Sequence, residues 1–504
     1  MTDPARARTP RAVGSVTILL IVVLGMTACG AAAGAPPAVT GLVAVARTPV
    51  PAATVLAGRP AVLTAEAAAR LFRSAPVVVV ASGRGHAAVA IAASLAQHAH
   101  APLLLSSPRL PRVVRDEIRA LHPRAILAVG LPAPAIAAVL PRIRVVTDPA
   151  QLPATTAPPP LGHVVLLLRQ GDSAPATAAV VSSAITAGAQ VIAVDSTDPR
   201  ADPAAIATLA AARPVHVLAI GASFGPASRL AARVAVAATG VQLPGGGQVL
   251  FPGHRLVALY GYPGSAVLGA LGEQGLTASI QRARTLASAY RSLSSVPVVP
   301  AFEIIATVAQ ASPGRDGTYS YESPVATLRP WVRRATAAGM YVVLDLQPGR
   351  ANLLAQARKY QPLLRLPDVG LALDAEWKLQ PGQRPLHQIG SVSIGEVNSV
   401  VRWLARLTAR NHLPQKLLVL HQFRLSMIIG EQRLDTRHDD LAIVIHMDGQ
   451  GTPADKQQTW DAVTGTAPPR VFFGWKNFFV KDTPMLGPQQ TMARTPAPVM
   501  ISYQ

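Results

Sequence analysis

Two carboxylates separated by a single residue, Asp374 and Glu376, are the clearest sign of chemistry in this sequence. They follow the apolar run 369–373, which predicts a strand, and residues i and i+2 of a strand face the same side. Two carboxylates so close raise the pKa of one of them, and a carboxyl group with a near-neutral pKa is a general acid. The pair is typical of glycosidic bond cleavage, with Glu376 protonating the leaving oxygen. Asp374 would orient that acid or stabilise positive charge on the sugar or its N-acetyl group.

Further polar and aromatic side chains follow other apolar runs in the second half of the chain. We predict that the substrate-binding residues are Tyr262, Glu303, Asp345, Trp377, His421, His446, Asp448 and Trp475. Trp377 and Trp475 would offer flat faces to a sugar ring. The acidic members must be paired, solvated or functional, because an isolated buried charge costs several kcal/mol.

The elements that would position these residues are eight apolar runs, with helical patterns between most of them. The predicted strands are 256–260, 296–302, 340–346, 369–373, 416–420, 441–446, 470–475 and 499–503. The clearest helices are 328–338, 394–410 and 454–463. Residues 250–504 therefore have the size and order of a (β/α)8 TIM barrel. The C-terminal ends of its strands would gather the candidate residues at one rim.

The run LALDAEW at residues 371–377 resembles the Asp-x-Glu strand of glycoside hydrolases such as family 25 muramidases and family 18 chitinases. The chitinase pattern has further Asp residues where this chain has Val369 and Ala372. The muramidase pattern has an Asp on the first strand, where this chain has YGY at 260–262. The resemblance implies a glycan-acting barrel. It leaves open a diverged hydrolase or a barrel that binds glycan without cleaving it.

Residues 61–245 have a different pattern, in which fully apolar strands alternate with helices. The predicted strands are 77–80, 102–105, 125–129, 163–168, 190–194 and 214–220. The third and sixth end at Gly130 and Gly221, and the segments before them share their order and length. We therefore predict a duplicated three-layer α/β module with parallel sheets, because apolar strands separated by helices are covered on both faces.

Three segments of this region, ASG at 81–83, APLLLS at 101–106 and PRAILAVG at 123–130, resemble cell wall-binding repeat type 2. The resemblance implies binding to an anionic wall polymer, although HAAV at 86–89 replaces the usual Asp-Ala-Leu. A rival interpretation is a dinucleotide loop, because GRGHAA at 83–88 fits G-x-G-x-x-A. The next strand ends at Ser106 and Ser107 rather than at an acidic ribose ligand, so we expect a tight turn there and no cofactor.

The start of the chain has the order of an export signal. Arg6, Arg8 and Arg11 precede a short apolar run at 13–24, and MTAC follows at 26–29. MTAC resembles the bacterial lipobox, with Met26 in place of the usual Leu, which implies that Cys29 carries a lipid. We predict a signal peptide at 1–28 and a lipid-anchored tether rich in Ala, Gly and Pro at 29–60. The alternative is a secreted protein from which Cys29 has been removed.

Composition restricts the partners and ligands. The net charge of +20 favours an anionic surface, a membrane or a wall polymer, whereas 4% aromatic residues argue against nucleic acid. Cys29 is the only cysteine, so disulfides and thiolate metal sites are excluded. We expect no metal, because no H-E-x-x-H spacing occurs, and no serine hydrolase, because no G-x-S-x-G elbow occurs. The run RHDD at 437–440 is most simply a solvated loop.

Together these observations predict a cell-envelope protein on the extracytoplasmic face of the membrane, with a glycoside hydrolase-like barrel joined to a wall-binding module. The alternative is an envelope lipoprotein that binds wall glycan without catalysis.

Overall fold

The computed structural model describes residues 41–49 and 52–504, and Gly41–Gln504 form one compact unit. The predicted signal peptide, Cys29 and most of the predicted tether lie outside the described residues. The fold is mixed α/β with parallel sheets and a closed barrel. No helix in the described part is both long and apolar enough to cross a bilayer.

The first half contains two four-stranded parallel sheets. In spatial order the first consists of Leu103–Ser106, Val77–Ser82, Ala125–Val129 and Arg144–Val146. The second consists of Gln190–Val194, Val164–Arg169, His216–Ile220 and Ala53–Leu56. All six strands predicted from the sequence are present, and in each set of three the strand that comes first in the chain lies at the centre.

The helices of this half bury their apolar faces between and around the two sheets. They are Pro60–Leu71, His86–His98, Arg112–Leu121, Ala133–Val139, Pro175–Thr186, Pro203–Ala212 and Ala227–Ala237. One apolar core includes residues of both sheets, such as Val78 and Leu166. Small side chains allow close packing there, and Ser183 Oγ accepts a hydrogen bond from the backbone N–H of Leu103 at 3.0 Å.

The predicted tether is folded near its end. Ala53–Leu56 pairs in parallel with His216–Ile220, and the helix Pro60–Leu71 begins shortly afterwards. Leu56 is fully buried, so the Ala-, Gly- and Pro-rich segment predicted as a tether supplies an edge strand of this sheet. Pro60 favours the helix start because its fixed φ suits the first helical position. Two short pairings also involve this region, Leu42–Val43 with Thr155–Thr156 and Val45–Ala46 with Phe72–Ser74.

The second half forms a closed barrel of eight parallel strands, and all eight predicted strands are present. Barrel strands 1 to 8 are Arg255–Gly261, Val298–Ala309, Tyr341–Leu346, Val369–Asp374, Lys416–Gln422, Leu441–Met447, Phe472–Asn477 and Met500–Tyr503. Strand 1 pairs with both strand 2 and strand 8, which closes the ring. Ser320–Glu322 pairs antiparallel with the end of strand 2.

The barrel helices do not alternate strictly with the strands. The helices are Leu276–Ser288, Val325–Ala337, Leu353–Lys359, Gln361–Leu364, Ile394–Arg410, Pro453–Thr466 and Pro488–Met492. Between strands 5 and 6 the described chain has only the 3-10 turns Leu425–Met427 and Glu431–Arg433 and the short strand Ile428–Ile429, which pairs with Val392–Ser393.

The barrel interior changes from apolar to polar along the strands. Near the N-terminal ends the buried side chains are apolar and form one cluster, which includes Ala258, Ala301, Val343, Ala372, Val419, Val444 and Met500. Two residues further along the same strands lie Tyr260, Glu303, Asp345, Asp374, His421, His446 and Ser502. Because a strand repeats every two residues, these polar side chains share the inner face with the apolar ones.

The segment PGGG at 244–247, whose composition is typical of a linker, is packed against the barrel at the N-terminal ends of its strands. Leu243, Leu250 and Phe251 belong to the apolar cluster of the barrel interior. Gly245 has a φ of +93°, and a Cβ there would lie 2.8 Å from the His254 ring. Glycine is thus required by both the backbone conformation and the close approach.

The run 437–440 is not simply a solvated loop. Asp439 accepts hydrogen bonds from Arg200 at 2.7 Å and from Arg233 at 2.7 and 2.8 Å, so it joins the barrel to the first half of the chain. Arg200 is buried and also pairs with Asp198. The sequence could not show this, because the partners are more than 200 positions away along the chain.

Candidate active site

The C-terminal ends of strands 2 to 6 bring carboxylates and a histidine together inside the barrel. Glu303, Asp345, Asp374, His421 and Asp448 are all buried. The first four are inner-face residues of their strands, and Asp448 directly follows strand 6. The sequence-based expectation that these acids converge agrees with this arrangement.

His421 lies between three of the carboxylates. Its Nε2 donates a hydrogen bond to Glu303 Oε1 at 2.8 Å and is 3.9 Å from Asp345 Oδ1, while its Nδ1 is 3.2 Å from Asp448 Oδ2. Burial lowers the pKa of His421, but the charge of Glu303 and the contacts with Asp448 and Glu303 outweigh it and raise that pKa well above its ordinary value. His421 is therefore an imidazolium that neutralises part of the acidic cluster.

Tyr260 on strand 1 and Lys476 on strand 7 also point into the barrel interior. Tyr260 OH donates a hydrogen bond to Asp345 Oδ2 at 2.9 Å and accepts one from Gln347 Nε2 at 3.3 Å. Burial raises the pKa of Asp345 to about 6, although His421 opposes the change. Lys476 Nζ lies 3.6 Å from the centre of the Tyr260 ring, within cation–π range.

Asp374, Glu376 and Asp448 form the acidic centre of the site, and one carboxylate oxygen of each lies within 4.8 Å of the others. Burial, followed by the charge of Asp448, raises the pKa of Glu376 to about 7. The pKa of Asp374 is also well above its usual value, because of burial and the charges of Asp345 and Glu376. Asp374 Oδ1 and Asp448 Oδ1 have no hydrogen-bond partner among the described residues. A proton shared within this cluster relieves the repulsion.

An open cavity of about 530 Å³ leads to this cluster. Glu376, Asp448 and Lys476 line it together with Tyr260 and Gln347. Its walls also include the large apolar or aromatic side chains Trp377, Phe423, Phe478, Leu268, Ile305 and Leu386. Glu376, Trp377 and Leu386 also border an adjoining groove of about 370 Å³, whose other wall includes Arg424. The general-acid candidate is therefore reachable from solvent.

Of the predicted substrate-binding residues, Trp377 and Asp448 line the cavity and six do not. Glu303, Asp345 and His421 are fully buried in the contacts given above, and the other three are Tyr262, His446 and Trp475. Tyr262 is half-buried, and its OH accepts a hydrogen bond from Ser323 Oγ at 3.3 Å. His446 is fully buried, with Nε2 3.2 Å from Ser502 Oγ and its ring 5.2 Å from that of His421. Burial, followed by the charge of His421, lowers the pKa of His446 well below its usual value, so it stays neutral.

The third residue, Trp475, faces away from the cavity. Its ring packs 5.5 Å from that of Trp460 on the helix Pro453–Thr466, and its Nε1 donates a hydrogen bond to Asn477 Oδ1 at 2.8 Å. It is fully buried and cannot serve as a sugar platform. The reason is strand alternation: Lys476 takes the inward position, so its neighbour must point outward.

Several cavity residues were not selected from the sequence, namely Tyr260, Gln347, Phe423, Lys476 and Phe478. Strand parity would have identified Tyr260, because it shares the inner face with Ala258 two positions earlier, and Lys476, because it shares the inner face of its strand with Gly474 and Phe472. Phe423 and Phe478 directly follow strands 5 and 7, and no pattern distinguishes them from core aromatics.

The three carboxylates also offer an oxygen-only ligand set, which suits a hard divalent cation such as Mg²⁺ or Ca²⁺. The charges of His421 and Lys476 already act on this cluster and lower the pKa of Glu376, as a bound cation would. Cation binding would therefore have to overcome repulsion from two positive side chains.

No protein-family model and no curated protein matches this chain.

Proposed function

We propose that the barrel is a glycoside hydrolase of (β/α)8 type in which Glu376 is the general acid and Asp374 its partner. The observation that carries the proposal is the position of Glu376. It borders an open cavity, has a pKa of about 7, and has two other carboxylates within 4.8 Å. A carboxyl group that is half protonated near neutral pH can donate its proton to a leaving glycosidic oxygen.

The spacing of the carboxylates favours retention of configuration at the sugar. Retaining enzymes hold their two carboxyl groups roughly 5 to 5.5 Å apart, whereas inverting enzymes need roughly 6.5 to 9.5 Å to fit a water molecule. One oxygen each of Asp374, Glu376 and Asp448 lies within 4.8 Å of the others, which is nearer to the shorter range than to the longer one. Asp448, which lines the cavity, would then stabilise the positive charge that develops on the sugar or its N-acetyl group, and Asp374 would orient Glu376.

The cavity walls suit a sugar ring. Trp377 is partly exposed and lies next to Glu376 in sequence, so its indole can stack on a ring whose glycosidic oxygen reaches the acid. Phe423 and Phe478 offer further apolar surface, and Gln347 and Lys476 offer hydrogen-bond donors.

We also propose that the protein is exported, lipid-anchored through Cys29 and attached to wall polymer by a duplicated module in its first half. Three features support this proposal: the MTAC motif at 26–29, the wall-binding resemblance at 81–130, and the shared strand order of the two four-stranded sheets. The net charge of +20 would attract an anionic wall polymer.

A non-catalytic glycan-binding barrel is the second candidate. The observation that favours it is the burial of Asp374, which is 2% exposed and does not line the cavity. A partner acid that the substrate cannot touch would act only through Glu376.

The test uses purified protein without residues 1–29 and measures the release of reducing ends from cell-wall glycan. The proposal predicts release by the parent and at least a 10²-fold loss in Glu376→Gln, as expected for removal of a general acid. Glu376→Gln should still bind the glycan, because the amide keeps the shape of the side chain. Binding by both proteins without cleavage by either would favour the non-catalytic barrel.

A further inference from the structure

The exposed apolar side chains of the barrel are confined to one end. Every large hydrophobic residue that is exposed among residues 250–504 lies in a segment that follows the C-terminal end of a barrel strand. They are Val267, Tyr321, Leu386, Ile389, Leu425, Ile429 and Val480. None lies on a barrel helix or near the N-terminal ends of the strands. In the first half of the chain, by contrast, such residues are scattered over helices, strands and loops.

Three of these residues are exposed to an extreme degree. Val267 is 93% exposed, Val480 87% and Leu386 83%, and they follow strands 1, 7 and 4. Val267 and Leu386 border the cavity, as does Lys481 beside Val480. The apolar side chains therefore surround the entrance to the candidate site. Isolated exposed hydrophobics are ordinary, but a set confined to one functional face marks an interaction surface.

Positive charge accompanies the apolar residues. Arg384, Arg424 and Lys481 are exposed and lie within two positions of Leu386, Leu425 and Val480. None of these three cations forms a salt bridge with another described residue. No acidic side chain in the segments 375–391, 423–429 and 478–487 is exposed, whereas the segments after strands 1 and 2 expose Glu273, which pairs with Arg282, and Asp316.

We propose that the mouth of the barrel, defined by Val267, Leu386, Leu425 and Val480 with Arg384, Arg424 and Lys481, docks on an anionic lipid surface. Apolar side chains paired with cations on one face are the combination that binds the interface of a bilayer. The former enter the boundary between headgroups and acyl chains, and the latter approach the phosphates. A protein partner would not require a cation beside each of several apolar positions. The proposal does not depend on glycan cleavage, because no residue of the acidic cluster takes part.

Vesicle flotation tests the proposal with a chain that lacks residues 1–29, so that neither the N-terminal apolar run nor a lipid on Cys29 contributes. This chain contains the compact unit 41–504 whole. We expect binding to vesicles of phosphatidylcholine with 30% phosphatidylglycerol, and at least ten-fold weaker binding to phosphatidylcholine alone. Val267→Ser/Leu386→Ser/Val480→Ser should weaken binding at least ten-fold. Arg424→Gln and Lys481→Gln should each weaken it about five-fold.

The matched control is Ile91→Ser/Ile185→Ser/Val215→Ser, which removes three exposed apolar residues from the first half of the chain and should leave vesicle binding unchanged. Unchanged melting temperatures confirm that the variants fold. Glu376→Gln should bind vesicles like the parent, so a failure of the hydrolase proposal would leave this result intact. Equal binding by the mouth variant and the parent would overturn the proposal. Absence of vesicle binding by the parent would also overturn it. A third contrary result would be self-association of the parent in sedimentation without lipid, if the mouth substitutions abolish that self-association.

Discussion

Glu376 is the second residue after the end of strand 4. Its carboxyl group is largely buried among other acids and also borders the cavity. Its carboxylate neighbours and burial raise its pKa to about 7, while the cavity keeps it within reach of a ligand. His421 and Lys476 act in the opposite direction and lower that pKa. The protonation of Glu376 thus depends on the balance between the negative charge of Asp448 and the positive charges of Lys476 and His421. Substitution can remove each of these charges separately.

This balance predicts opposite shifts of the pH–activity profile. A general acid must be protonated, so kcat/KM for glycan cleavage should fall as the pH rises through about 7. Asp448→Asn removes a negative charge that favours the protonated acid, so the fall should move to lower pH. Lys476→Met removes a positive charge that favours the ionised form, so the fall should move to higher pH. Shifts in the same direction, or none, would show that another group sets the profile.

At the scale of the secondary-structure elements, strand alternation decides which side chains reach the site. Each polar residue of the interior on strands 1 to 6 and 8 lies two positions beyond an apolar one on the same strand, and Lys476 of strand 7 lies two positions beyond Gly474. The residue between points to the helices. The two candidate tryptophans illustrate the rule. Trp377 follows strand 4 in a partly exposed turn, whereas Trp475 occupies an outward position of strand 7 against Trp460.

The two tryptophans should therefore respond differently to substitution. Trp475→Ala should lower the free energy of unfolding by about 3–5 kcal/mol, because it leaves a large cavity in a packed core. Trp377→Ala should lower it by less than about 1 kcal/mol and should weaken glycan binding about ten-fold through loss of stacking. Urea unfolding and glycan-binding titrations measure the two effects. A destabilised Trp377→Ala with unchanged glycan affinity would contradict the assignment.

The predictable elements are those with a local signal. The apolar runs identify every barrel strand, and Asp374 and Glu376 are recognisable because acids rarely end such runs without a role. Three features depend on distant partners and carry no local signal. They are the edge strand Ala53–Leu56, the packing of the Gly-rich segment against the barrel, and the outward direction of Trp475. The last follows only once the inner face of strand 7 is known.

At the scale of the whole molecule, a partly buried ion-pair network joins the two halves of the chain. Asp439 accepts hydrogen bonds from Arg200 and Arg233, and Arg200 is almost completely buried. Removing Asp439 leaves Arg200 and Arg233 to share the single carboxylate of Asp198, although the Arg200 guanidinium is almost completely buried.

Asp439→Ala should therefore lower the free energy of unfolding by about 2 kcal/mol, between the values for exposed and for buried pairs, because the Asp439 side chain is 36% exposed. Chemical denaturation measures the effect. Asp435→Ala is the matched control, because Asp435 pairs with the exposed Arg437 and such pairs contribute about 1 kcal/mol or less. Equal effects of the two substitutions would show that the network contributes little to the joining of the halves.

The most direct test of the account is a ¹³C NMR titration of the Glu376 carboxyl carbon in protein labelled at the glutamate side chains, with Glu376→Gln used to assign the signal. The account predicts a midpoint near pH 7, because burial and the charge of Asp448 favour the protonated form. A midpoint near 4.5, the ordinary value for a glutamate, would contradict it, since Glu376 would then be fully ionised at neutral pH and unable to donate a proton.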